Sequence, residues 1–303
     1  MINVIYVAVF DNQNISADTS AARAMAKHEA VGNTIGYQYR QRATQAGPEI
    51  RDTELIQLCE EEKPDLVFFV KCNNMDTRVF EECKKVCPIV YWFPDPLVTF
   101  REDPSYLEKA IVSDLVFVDK KNVWEEIVPH NKKTFIIPDG FDSTLEIPRE
   151  VEAQDLDVSF IGNPYGDRLE KLLQVTPEVQ LVSNAYGAHH SDAVSRSKIN
   201  LNFCTSSGPS NRVYKVLAAK GFLLTDDWVD REKEFEDGKH LVIFKDIDDL
   251  NEKVAYYLEN EEERNRICEE GYKLSSKYTR DEWARKVMEI FLAHKEIEDE
   301  SAN

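Results

Sequence analysis

Short runs of β-branched and aromatic residues alternate along this chain with longer amphipathic stretches. In the first half the apolar runs fall at 2–10, 34–39, 65–70, 89–93, 115–118 and 134–137, separated by segments of helical period at 18–30, 50–62, 76–86, 104–111 and 121–128. Runs such as DLVFFV and PIVYWF lack polar alternation, as expected of parallel strands covered on both faces. The strand–helix–strand order predicts a doubly wound α/β domain.

The pattern breaks at Pro138-Asp139-Gly140 and the charged stretch Ile147–Glu152, then restarts. Strands are predicted at 157–161, 179–183, 199–203, 221–225 and 241–244, with helices at 166–174, 191–196, 210–219, 247–259, 261–275 and 280–295. This reading divides the chain into an N-terminal domain over 1–148, a second Rossmann-like domain over 149–279 and a closing segment over 280–303, with the tail from Glu296 disordered. Two such domains are expected to face each other across a cleft between the carboxyl ends of their sheets, where open α/β folds bind ligands.

Composition narrows the function. The net charge of −19 is spread over both halves, with 16 basic and 24 acidic residues before position 149 and 21 and 32 after it. No basic lobe stands out, so nonspecific binding to DNA or to an anionic membrane is not expected. No apolar run approaches the roughly 20 residues that span a bilayer, and no leader is evident, which points to the cytosol. The six cysteines (59, 72, 83, 87, 204 and 268) form no CxxC pair. Cys83 and Cys87 lie one helical turn apart, but buried free thiols are the expectation. In so acidic a chain an anionic ligand must be met by a local positive site.

Two segments offer one. In DVSFIGNPYGDR, a strand ends at Ile161 and a loop containing Gly162, Asn163 and Gly166 feeds a helix beginning near Arg168. Glycines let backbone N–H groups approach a ligand, and a helix start is electropositive. Taken alone, this segment reads better as a tight strand–helix turn with Gly at a positive φ. In TSSGPSNRVYKVLAAKGFLLT, a polar loop with Ser207, Gly208, Ser210 and Asn211 leads into a helix with Arg212 in its first turn and Lys215 one turn on. Ser210 or Asn211 is expected to cap that helix. Free N–H groups, a hydroxyl and a permanent cation at one point are what a diphosphate requires, although a capped core helix with a surface arginine fits as well.

The order DVSFIGNPYGDR, SKINLNF, SNRVYKVLAAKGFLLTDD and EFEDGKHLVIFKDIDDLNEKVAYYLENEEERNRICEEGYKLSSKYTRDEWA resembles the group-1-type glycosyltransferases, in particular their CgeB-like, spore-maturation branch. That resemblance implies the GT-B fold and a nucleoside-diphosphate sugar, a UDP-sugar first among them, held by the second domain as co-substrate. It also implies no required cofactor or metal and a last helix that crosses back to the first domain. In such enzymes an acid that contacts the donor ribose stands where this chain has Lys215, which suggests that Lys215 reaches a phosphate or that the ribose is recognised otherwise.

Candidate bases for the acceptor are Asp11 in VAVFDNQN, Asp95 in VYWFPDP and Asp139 in IIPDGFD, each following a predicted strand and each also ordinary turn chemistry. His189 and His190 precede a helix in the second domain, and one of them could donate to the sugar or the departing phosphate. The acceptor stays open between a glycan, a protein, a small molecule and a hydroxymethylated DNA base of the kind modified by phage enzymes. A sugar-nucleotide epimerase and a non-catalytic nucleotide-binding protein on the same scaffold are the alternatives.

Overall fold

The computed structural model describes residues 1–13, 15–95, 104–204 and 208–302, with the backbone only of 298, 299, 301 and 302. The chain forms two compact units, one of residues 1–139 with 280–303 and one of residues 140–279.

Unit 1 is built on a parallel sheet of β1 (Ile2–Ala8), β2 (Val31–Gln38), β3 (Leu66–Val70), β4 (Ile89–Phe93), β5 (Leu115–Val118) and β6 (Thr134–Ile136), in the order β2-β1-β3-β4-β5-β6. Its central strands are buried along their whole length, and alternate residues enter opposite cores. Val67, Phe69, Ile89, Tyr91 and Phe93 join one core, while Phe68, Val70, Val90 and Trp92 join the other. Helices α3 (Pro48–Glu62), α4 (Thr77–Lys84), α5 (Tyr106–Val112) and α6 (Lys121–Ile127) line the first face. Between β1 and β2 the chain winds the other way, so only α1 (Ala17–Lys27) reaches the second face from within the N-terminal sequence.

That face would be left largely bare, and it is covered by the end of the chain. Helix α12 (Arg280–Ala302) places Trp283, Val287, Met288 and Phe291 in the second core. The Trp283 ring lies 4.5 Å from Trp92 and 5.8 Å from Phe68, and Arg280 donates to the Asp139 carboxylate. The tail expected to be disordered continues α12 as far as Ala302. A further difference is α2 (Tyr39–Ala46). Its sequence YRQRATQA has no apolar stripe, so hydrophobic period does not reveal it.

Unit 2 carries a parallel sheet of β7 (Leu156–Ile161), β8 (Gln180–Val182), β9 (Ser197–Asn202), β10 (Leu223–Asp226) and β11 (Val242–Phe244), ordered β11-β10-β9-β7-β8. Helices α8 (Ala188–Arg196) and α9 (Asn211–Ala218) pack on one face, and α7 (Arg168–Leu172), α10 (Ile247–Glu259) and α11 (Glu261–Ser275) on the other. The units divide at 139/140, earlier than the 148/149 boundary expected from composition, because residues 140–148 are tied into unit 2. Phe141 N donates to Tyr278 O at 3.0 Å, Ser191 Oγ donates to Leu145 O at 3.2 Å, and Lys215 pairs with Glu146 at 2.9 Å. Gly140 makes the close approach possible: with φ at 76°, an added Cβ would fall 2.2 Å from the Tyr278 carbonyl oxygen.

All six cysteines are free. Among the described residues no group of His, Cys, Asp and Glu could hold a metal ion, and no helix is long and apolar enough to cross a membrane.

Because Trp283 fills the face that the β1–β2 reversal leaves open, Trp283→Ala should destabilise unit 1 by about 3–5 kcal/mol, the usual cost of emptying a buried tryptophan site. A urea titration followed by circular dichroism should show the loss as a lower midpoint.

Candidate functional site

In unit 2 the winding direction reverses between β7 and β9, the switch point at which open parallel sheets leave a crevice beyond their carboxyl ends. Arg212 sits there. It enters from the first turn of α9, and its Nε donates to Ile161 O at 2.7 Å while Nη1 donates to Asn202 Oδ1 at 2.7 Å. One side chain thus bridges the ends of both strands. Its guanidinium carbon lies 4.1 Å from the centre of the Phe160 ring, which gives the charge an aromatic face. Gly162 is required above it: its φ is 128°, and an added Cβ would come 2.6 Å from Arg212 Nη2.

Arg168, the first residue of α7, approaches from the neighbouring loop and donates through Nη2 to Phe203 O at 2.7 Å. It is buried, and its Nε has no partner. Neither arginine forms an ion pair among the described residues. Burial, with Arg168 beside it, pulls the Arg212 guanidinium down to about 9; burial also lowers Arg168. A half-buried and a buried cation side by side, with Asp226 and Asp167 acting on Arg168 only through space, form an incomplete electrostatic arrangement. An anion with several acceptor oxygens completes it.

The other expected donor residues distribute around this pair. Ser210 occupies the position before α9 but does not cap it. Its hydroxyl donates instead to Asn202 Oδ1 at 2.8 Å, so the first-turn N–H groups of α9 keep no side-chain partner and Asn211 is simply the first helical residue. Asn163 Nδ2 donates to Tyr165 OH at 3.2 Å, and Gly208 is buried. Ser207 lies outside the described residues. Lys215 does not turn to the arginines: its ammonium is held by Glu146, whose other oxygen accepts Asp142 N at 2.8 Å. Of the two histidines, His189 is exposed and His190 is buried. Burial, then Lys215 and Arg212, hold the His190 imidazole well below its ordinary value, so it is neutral, with Nδ1 unpartnered.

The strand ends of unit 1 are lined with ionisable groups as well. Asp11 staples its own loop, accepting from Gln13 N, Ile15 N, Ser16 N and Thr19 Oγ1. Burial works to raise its carboxyl, but these donors outweigh it and hold it low, so it is a poor proton acceptor. Asp95 pairs with Lys71 at 3.2 Å, and Asp139 with Arg280. Lys71, Cys72 and Asn74 all have positive φ, at 57°, 52° and 61°, conformations that cluster at ligand-handling sites. Two acids were not singled out from the sequence. Asp18, in the first turn of α1, is buried and raised by that burial, with Val9 N donating to it at 3.4 Å. Asp119 follows β5, pairs with Lys120 at 2.5 Å and is pushed up to about 7 by burial; its Oδ1 has no partner. The signal for Asp119 was present in VFVDK, an apolar run meeting a charge, as at Asp11 and Asp95.

Residues 146–289 match the Glycosyl transferase-like family. No curated protein matches the sequence. Among solved structures, Anabaena Alr3699/HepE in complex with UDP-glucose superimposes with a TM-score of 0.72 at 9% identity, over 97% of this chain and 100% of its own. An α-glucosyltransferase in complex with UDP-glucose and DNA containing an abasic site gives 0.67 at 8% identity, over 96% and 99%. A UDP-N-acetylglucosamine 2-epimerase gives 0.60 at 11%, over 98% and 97%. The fold is GT-B. The matched family segment takes in Gly162, Arg168 and Arg212, the residues that build the arginine site of unit 2.

The neutral state of His190 has a pH signature. The unfolded chain takes up its proton near the ordinary value of 6.5 while the folded site refuses it, so folding stability falls as pH drops below that value and is unaffected above it. Melting curves between pH 7.5 and 5 should show the Tm of His190→Gln gaining on that of the native protein as the pH falls.

Proposed function

We propose that the protein is a glycosyltransferase that takes a sugar from a nucleoside-diphosphate donor, with the diphosphate seated on Arg212 and Arg168 in unit 2. The observation that carries this reading is a pair of guanidiniums, Arg168 buried and Arg212 half-buried, that form no ion pair among the described residues, at the switch point of a parallel sheet within a glycosyltransferase-like segment. A nucleoside diphosphate matches the site in charge, and its oxygens accept the guanidinium and first-turn N–H bonds. As the bond to the sugar breaks, negative charge grows on the departing diphosphate. Fixed donors in a dry site stabilise that charge without reorganising. His190, neutral and beside Arg212, supplies a hydrogen bond and adds no charge.

The donor is proposed to be a UDP-sugar, since the two glycosyltransferase neighbours described above hold UDP-glucose. Unit 1 would carry the acceptor, and Asp95, half-exposed beside Lys71, is the base we assign to it; the sealed hydrogen bonds of Asp11 leave it a structural part. A duplex acceptor fits poorly with the dispersed negative charge of both halves. The epimerase neighbour supports a second reading, in which the donor is converted with no acceptor. Product analysis with donor alone separates the two: released UDP and free sugar accompany transfer to water, whereas an altered UDP-sugar accompanies epimerisation.

UDP and UDP-glucose should raise the Tm of the native protein, because a ligand that binds only the folded state adds RT ln(1 + [L]/Kd) to its stability. Arg212→Ala should weaken UDP at least tenfold, in line with the loss of a charge-assisted bidentate contact of about 1.5–3 kcal/mol. A native protein whose melting is indifferent to a panel of nucleoside diphosphates and their sugars would sink the reading.

A further inference from the structure

A cavity of about 360 Å³ lies beyond the carboxyl ends of β1 and β2 in unit 1, at the lower end of the ~300–1,000 Å³ typical of small-molecule sites. Its walls include Phe10, Asn12, Gln38, Arg40, Gln41 and Thr44. Three carboxamides, a hydroxyl, a guanidinium and an aromatic ring are the functional groups that grip a pyranose. Carboxamides donate and accept at once, as adjacent sugar hydroxyls demand, and a ring face packs on C–H groups.

Three of the eight lining residues belong to α2, and its composition is hard to explain by folding alone. Only Tyr39 of its eight residues is buried, and none is acidic. Arg40, Gln41 and Thr44 share one side of the helix by their spacing. The two arginines of α2 differ in their company. Arg42 is gripped by both oxygens of Glu54 at 2.5 Å, whereas Arg40 makes no ion pair or side-chain hydrogen bond among the described residues.

The carboxylate in the same wall stays ionised but does not pair with it. Asp11 lines the cavity, and its oxygens are taken by three backbone N–H groups and the Thr19 hydroxyl. The cavity therefore holds both charges, and Arg40 is the one whose side chain has no hydrogen bond among the described residues. Gln38 is oriented too: its Nε2 donates to Phe10 O at 2.5 Å, and its Oε1 is left with no partner. The tip of the Phe10 ring packs on Gly36, where an added Cβ would come 3.2 Å from it.

We infer that this cavity is a carbohydrate subsite for a sugar bearing a carboxylate or phosphate group, with the anionic group on Arg40 and hydroxyls on the carboxamides. It deepens the glycosyltransferase reading and rests on it for naming that sugar as the acceptor. Planar oxyanions suit the guanidinium fork, which binds them with two parallel hydrogen bonds where an ammonium offers a point charge.

The test is saturation-transfer NMR on the full chain with UDP present, comparing glucuronate, glucose 6-phosphate and glucose. At least one anionic sugar should bind about tenfold more tightly than glucose, and the preferred one distinguishes a carboxylate from a phosphate. Arg40→Ala should erase that advantage and Arg40→Lys should keep part of it. Arg212→Ala should leave it intact. Anionic sugars that bind no better than glucose, an advantage that survives Arg40→Ala, or one that disappears with Arg212→Ala would each overturn the assignment. The Tm response to UDP is read on the same samples. Its absence would count against the donor reading alone, while the Arg40 comparison would stand.

Discussion

In unit 2 the geometry turns on a half-buried guanidinium. Arg212 holds the carboxyl ends of β7 and β9 together through Ile161 O and Asn202 Oδ1, at the place where the sheet changes its winding direction. Its charge is half-buried there. It is kept in place by two hydrogen bonds, by the face of Phe160 and by the glycine that gives it room at position 162. Asn202 in turn accepts from Ser210 and donates to Thr225 at 2.9 Å, so β7, β9, β10 and the start of α9 share one hydrogen-bonded network. Networks of this kind in a low-dielectric interior are rigid when their members are satisfied. The remaining N–H groups of the arginine are the unsatisfied part, and they give the site its appetite for an anion.

The two units treat charge at their strand ends in opposite ways. Along the sheet of unit 1 each cation meets an acid: Lys71 with Asp95, Lys120 with Asp119, and Arg280 with Asp139. In unit 2 the arginines at the switch point are left without one. Pairing leaves the first edge with little net field, and lack of pairing leaves the second with guanidinium N–H groups free. Lys215 illustrates the separation. It lies one turn from Arg212 on the same helix, yet Glu146 withdraws its charge from the site. Arg40, away from the row of pairs, lines its own cavity.

Topology explains the division of the chain. Right-handed crossovers place α3 to α6 on one face of the six-stranded sheet, and the single reversal at β1–β2 leaves α1 alone on the other. The hydrophobic residues of β3, β4 and β5 that point to that face need a cover, and α12 supplies it with Trp283, Val287, Met288 and Phe291. The last helix therefore belongs to the first unit, although unit 2 precedes it in the chain.

Much of this was legible in the residues. The eleven strands of the described residues announced themselves, the central ones because a parallel strand buried on both faces is a run of apolar residues with little else to be. Arg212 and Gly162 could be picked out because a strand end, a small polar loop and a helix start follow one another there, and the fold brings the two residues together. Helix α2 could not be seen, since YRQRATQA carries no stripe. Nor could the choice between His189 and His190, because one residue is a turn of about 100° on a helix and only packing decides which side is inside. The partners of Arg212, the pairing of Lys215 with Glu146 and the solitude of Arg40 depend on which distant residues the fold brings near. Local pattern and propensity determine elements. Whether a buried charge is neutralised, and so what it can bind, is decided by contacts between residues far apart in the chain, which exist only in the tertiary structure.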